Sequence, residues 1–198
     1  MKFGNKKGLL VLTAALAVFP IGMAVAVTTN LNATAIFLAA LGLTPTNMQF
    51  GTNVYSGDPS GAADFVKLGT NGARVVGGVF TANGGAVVAG DVTITGTTGN
   101  SISVSCDATA VMGNGAGKTI NIINIEVAKE SATFAPGLAA ACTGIGNNVL
   151  TFNLTSGTDD QLKVGGVITG SGASSPFASG AYSTATGGND IQIDIVYT

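Results

Sequence analysis

The chain has 198 residues, of which 46% are hydrophobic and only 9% charged, with thirty glycines, two cysteines and neither histidine nor tryptophan. Eight basic and ten acidic residues leave a formal net charge of −2, and the mean hydropathy is +0.48. These figures exclude a highly charged disordered chain, histidine-based triads and zinc sites, four-thiolate metal sites and the basic footprint of a nucleic-acid binder.

Residues 1–26 have the three parts of a secretory signal: Lys2, Lys6 and Lys7, then an apolar run from Gly8, then Ala24-Val25-Ala26 as a small-x-small cleavage site. Cleavage after Ala26 is expected, leaving one domain over 27–198 and no membrane segment. Without the three leader lysines, five positive charges face ten negative ones, an acidic balance that suits export. A retained membrane helix is opposed by Pro20 and the small residues near Ala26. A type IV pilin leader is opposed by Thr13, where those pilins carry glutamate.

The rest reads as strands. Residues 27–43 form the N-terminal strand segment, with Val27, Leu31, Ala33, Ala35 and Phe37 on one face and Thr28, Asn30, Asn32 and Thr34 on the other. Asp58-Pro59-Ser60-Gly61, Asn71-Gly72 and Asn83-Gly84 are turns. Val92 and Ile94 alternate with Asp91, Thr93 and Thr95, and Ile102 and Val104 with Ser101, Ser103 and Ser105. Cys106 continues the inward phase of Ile102 and Val104. With Cys142, 36 residues on, it makes the expected disulfide of an exported chain, and two free buried thiols are the alternative.

Gly113-Asn114-Gly115-Ala116-Gly117-Lys118-Thr119 is similar to a phosphate-binding loop but has Met112 where that motif needs glycine. The residues after Thr119 have strand period and not helical period, so a hairpin turn is expected. In Ile120–Val127 the apolar phase slips between Ile122 and Ile123, and a β-bulge there would restore it. Ser131–Cys142, rich in alanine, reads as a short helix or a long loop. Leu150, Phe152 and Leu154 alternate with polar residues. Asp159-Asp160 could contribute to a calcium site, but the ligand spacing is absent and an Asx-type turn is favoured. Gly165–Gly180 reads as a long connection before the last strand, where Ile191, Ile193, Ile195 and Tyr197 alternate with Gln192, Asp194 and Val196.

Eight to ten such strands imply an all-β sandwich or barrel. Scattered carboxylates give no glycosidase pair, no serine or threonine has an obvious base, and Tyr55, Tyr182 and Tyr197 are too far apart in sequence to suggest a sugar platform. The expectation is a non-enzyme with no cofactor, no metal and no nucleic-acid partner.

Two motifs carry a family resemblance: Asn47-Met48-Gln49-Phe50-Gly51-Thr52, and the ending Ser179-Gly180-Ala181-Tyr182-Ser183 with Ile191–Tyr197 after it. With Gly78 and Gly165-Gly166-Val167, they make residues 28–198 resemble the secreted bacterial domains called domain of unknown function 4402. Pilins of the archaic chaperone–usher and spore coat protein U type are distantly similar. The chain departs from that family in its two cysteines and in an added stretch over Ala128–Asn148. The resemblance implies an Ig-like, pilin-like antiparallel β-sandwich with Greek-key connections, in a surface or fimbrial setting. It brings no catalytic residue.

The expected function is a structural subunit of an extracellular filament or fimbria-like assembly. Its partners would be copies of itself, with a periplasmic chaperone or outer-membrane assembly factor as a further candidate. Val27, Leu31, Ala33, Ala35 and Phe37 would form the donor strand, and pairing of that strand within its own sheet is the competing arrangement. A monomeric adhesion module, with ligand loops at Gly113–Gly117 and Gly165–Gly180, is the alternative function.

Overall fold

The computed structural model describes residues 38–130, 139–155 and 160–198. The strand segment over 27–37 and the leader lie outside them, as do residues 131–138. The unit Leu38–Thr198 is all-β, with no helix among the described residues, and its sheets are antiparallel.

Fifteen strands are present: β1 (Gly42–Thr46), β2 (Gln49–Phe50), β3 (Asn53–Tyr55), β4 (Phe65–Leu68), β5 (Arg74–Gly77), β6 (Phe80–Ala82), β7 (Val87–Val88), β8 (Gly90–Thr95), β9 (Ser101–Cys106), β10 (Ala110–Gly113), β11 (Thr119–Glu130), β12 (Ala140–Ala141), β13 (Leu150–Asn153), β14 (Asp160–Thr169) and β15 (Ile193–Tyr197). An eight-stranded sheet runs β1-β8-β14-β11-β10, with β4 beside the second half of β14, β5 beside β4 and β12 beside β11. It curls into half a barrel. A three-stranded sheet has the order β13-β9-β15, and β2-β7 and β3-β6 are two-stranded ribbons.

Alternation builds the core as the sequence predicts. Val92, Ile94, Ile102, Val104, Leu162, Val164 and Ile195 are buried in one cluster shared by the two larger sheets. The Cys106–Cys142 disulfide fastens the end of β9 to the chain leaving β12, and so ties one sheet to the other. The expected bulge lies in β11: Ile123 faces Val167, but Glu126 faces Gly165, so three steps on β11 oppose two on β14. The slip falls one to two residues later than expected. Asn124 there has φ 48°, and Ile125 returns to full burial.

One reading is corrected, and two fall only in part on described residues. Gly165–Gly180 is not one long connection, because Gly165–Thr169 belongs to β14, hydrogen-bonded to β11 on one side and with β4 beside Gly166–Thr169 on the other. Gly165 sits there because the backbone of Leu68 and Thr70 approaches: a Cβ would lie 2.6 Å from the Leu68 oxygen and 2.8 Å from the Thr70 nitrogen. Of Ser131–Cys142, residues 131–138 lie outside the described residues, and Ala140–Ala141 form the short strand β12. Of the expected turn at Asp159-Asp160, Asp159 lies outside the described residues and Asp160 begins β14. It stands on the core side of β14 opposite Ile94, 3% exposed, and accepts from Thr155 N at 2.8 Å and Thr155 Oγ1 at 2.7 Å.

Lys129 meets Asp160 at 3.2 Å, lies 4.6 Å over the Phe152 ring and donates to the Asn153 carbonyl at 3.2 Å. This pair closes the rim of the core, and its satisfied hydrogen bonds are what make a buried carboxylate tolerable. Ser103 and Ser105 are also buried, although they alternate with the apolar face. They lie on the middle strand of three, where short side chains sink between those of β13 and β15.

Candidate functional site

Two features distinguish the surface: an open sheet margin at β1 and a cleft above β4, β10, β11 and β14. Among the described residues β1 pairs only with β8, and β15 pairs only with β9. Directly opposed residues of an antiparallel pair share a face. Leu43 opposes Ile94, which is 0% exposed, yet Leu43 is 42% exposed. Pro45 opposes buried Val92 and is itself exposed, and it brings no N–H to the strand. The core side of β1 therefore lies open. At its Leu41 end the margin is closed by Tyr197, whose hydroxyl accepts from Thr97 N at 2.7 Å and donates to Ala39 O at 3.0 Å.

The cleft has a volume of about 990 Å³. Its floor is made of Val66, Met112, Ile120 and Ile168, all core residues on four adjoining strands. Its walls carry the aromatic residues. Phe177 meets Tyr55 edge to face at 5.0 Å and Phe80 edge to face at 6.4 Å, and stacks on Tyr182 at 5.0 Å with the planes 3° apart.

The walls are fixed by polar bonds outside the cleft. Asp58 Oδ1 accepts from Phe177 N at 2.9 Å, and Lys118 Nζ donates to Ser175 O at 3.4 Å. Arg74, the single arginine, spreads Nη1 over the carbonyls of Phe50, Thr52 and Gly84 at 3.1, 3.2 and 3.0 Å. Asp64 accepts from the N–H groups of Ser60, Gly61 and Val79, which hold its carboxyl below the usual value. Burial raises the Tyr182 hydroxyl above its usual value, so it remains a neutral donor to Ala178 O at 3.0 Å.

No lysine, arginine, aspartate or glutamate lines the cleft among the described residues. Asn53 does line it. Its Nδ2 donates to Phe50 O and Gly51 O, while its Oδ1 is buried and receives no hydrogen bond. Three charged residues meet away from the cleft, on the outer face of the large sheet, where Lys163 lies 3.2 Å from Asp91 and 3.1 Å from Glu130. Burial alone would lower the Lys163 ammonium, but Glu130 and Asp91 outweigh it and hold the group above its usual value.

The expected site residues fall out in the fold in different places. Cys106 and Cys142 are bonded to each other. Val27, Leu31, Ala33, Ala35 and Phe37 lie outside the described residues. Residues 114–118 are the turn of the β10–β11 hairpin, closed by Asn114 N to Lys118 O at 3.0 Å, with a strand and not a helix after it. Of the Gly165–Gly180 loop, only 177–180 reaches the cleft beyond the strand β14.

Distance along the chain hides the relation between the tyrosines: Tyr55 and Tyr182 share this cleft, while Tyr197 is at the β1 margin. The one local signal is the pair Phe177 and Tyr182, two aromatic rings five residues apart in a glycine- and serine-rich stretch. Compared with protein family models, curated proteins and solved structures, the chain finds no match in any of the three.

Proposed function

We propose that the chain is a non-catalytic structural subunit of an extracellular filament, exported through residues 1–26 and polymerising by strand addition. In this reading the unit is an Ig-like sandwich with Greek-key connections, and a neighbour's apolar strand lies along the open margin between β1 and β15. The observation that carries it is Leu43, a core-phase side chain left 42% exposed beside a strand edge that no described residue pairs with. An added strand would satisfy edge N–H and C=O groups and cover that side chain at once.

The N-terminal segment leaves the unit near Thr97, to which Ala39 N donates at 2.7 Å. Val27, Leu31, Ala33, Ala35 and Phe37 alternate as such a strand requires. Head-to-tail addition of this kind does not close on itself and gives a fibre. The test is deletion of 27–37 in the exported protein, with electron microscopy and size-exclusion chromatography as readouts. Loss of polymer with a folded or aggregating monomer supports strand donation, and polymers of normal length refute it.

The cleft favours a second reading, a monomeric adhesion or binding module. Processed protein that elutes only as a single small species, at every concentration, would select that reading.

A further inference from the structure

We propose that the cleft above β4, β10, β11 and β14 is a binding site for an uncharged aromatic small molecule. The proposal is independent of strand addition, which uses the β1 margin.

Three observations converge. The first is shape: about 990 Å³ lies open over a floor of Val66, Met112, Ile120 and Ile168, at the upper end of the range of small-molecule sites. The second is rigidity. Asp58, Arg74 and Lys118 hold the wall segments through their backbone groups, so the site is formed before a ligand arrives.

The third is chemistry. Phe177 offers the cleft an aromatic wall already ordered by Tyr55, Phe80 and Tyr182, and a further ring gains offset or edge-on contact there. No charged side chain among the described lining residues compensates a charged ligand, which would lose its hydration without a partner. The floor consists of side chains rising from β4, β14, β11 and β10, which pair side by side in that order.

The probe is N-phenyl-1-naphthylamine, a neutral two-part aromatic molecule, titrated by fluorescence into the full chain with its disulfide intact. Saturable one-to-one binding is expected, weakened about tenfold or more by Phe177→Ala. Ser179→Trp fills the cleft from an exposed lining position and should weaken it similarly even if Phe177→Ala perturbs the loop. Leu43→Asp, at the β1 margin, should leave it unchanged. The sulfonated analogue 1-anilinonaphthalene-8-sulfonate should bind at least about tenfold more weakly, since the added charge finds no partner.

Absence of saturable binding overturns the proposal, as do equal binding of the anionic analogue and affinity undiminished in both cleft variants. Loss of binding in Leu43→Asp would move the probe to the β1 margin and overturn it too. Expulsion of the probe on polymerisation would assign the cleft to a neighbouring chain, with the same result.

Discussion

Tyr197, the penultimate residue, accepts a hydrogen bond from the backbone N–H of Thr97, 100 positions earlier, at 2.7 Å, and donates its own proton to the Ala39 carbonyl at 3.0 Å. One hydroxyl thereby joins the last strand, the turn between β8 and β9, and the segment that enters β1. The approach depends on Gly96, where a Cβ would lie 2.6 Å from the tyrosine oxygen and 2.9 Å from Leu41 Cδ2.

Tyr197→Phe keeps the ring and removes this junction. The part-buried Thr97 N–H is left without its acceptor, so the unit should lose about 1–3 kcal/mol, measured as a lower urea midpoint at constant slope. If the margin of β1 is also where subunits meet, the variant should form polymers of altered length or stability in electron micrographs. An unchanged urea midpoint would show that the junction contributes no stability.

Reduction of Cys106–Cys142, or the double change to serine, releases a closed loop with a sequence separation of 36 residues. The chain-entropy model gives a cost of about 3–4 kcal/mol. Urea unfolding with and without reductant reads it directly. Because the bond joins the two larger sheets, the reduced protein should also lose hydrogen-exchange protection first at the β9 and β12 ends.

Asp64 gives the unit an acid-sensitive element. Its folded pKa lies below the ordinary 3.8, because three backbone N–H groups stabilise the carboxylate. A depressed carboxyl contributes stability above the unfolded value and loses it as pH falls through the folded value. The stability difference between the native chain and Asp64→Asn should therefore be constant above about pH 5 and shrink as pH falls below 3.8. Thermal unfolding of both chains across this range checks the sign. A gap that widens on acidification would refute it.

Gly165→Ala tests why a glycine occupies the middle of the central strand. The nearest groups are backbone atoms of Leu68, Gly69 and Thr70, which cannot swing aside as a side chain would. Overpacking of about 1–3 kcal/mol is expected, read as a lower urea midpoint. Gly72→Ala makes a useful comparison, because a Cβ there meets nothing within 4 Å and the cost is only that of its positive φ, 76°.

The sequence and the fold agree most closely where the information is local. Period-two alternation located β8, β9, β13 and β15, because each places an apolar face against one core. The bulge in β11 was legible because a slipped phase must be repaired within the strand that carries it. The hairpin turn at 114–118 was legible because glycine-rich geometry is set by neighbouring residues. The cysteine pairing followed from there being only two, together with the inward phase of Cys106.

Other features came into being only when distant segments met. Gly165 and Gly166 look like loop residues in isolation and become strand residues because β4 and β11 flank them. Asp160 looks like a turn residue and becomes a rim anchor because Lys129 and Thr155 converge on it. Tyr55, Phe80, Phe177 and Tyr182 carry no shared period, yet they enclose one cleft. The sequence by itself determined the all-β character and the inward faces, since pleat and side-chain polarity act over a few residues. Only the tertiary structure decided which edges stay open and where the rings gather, since both depend on contacts between segments whose spacing along the chain carries no signal.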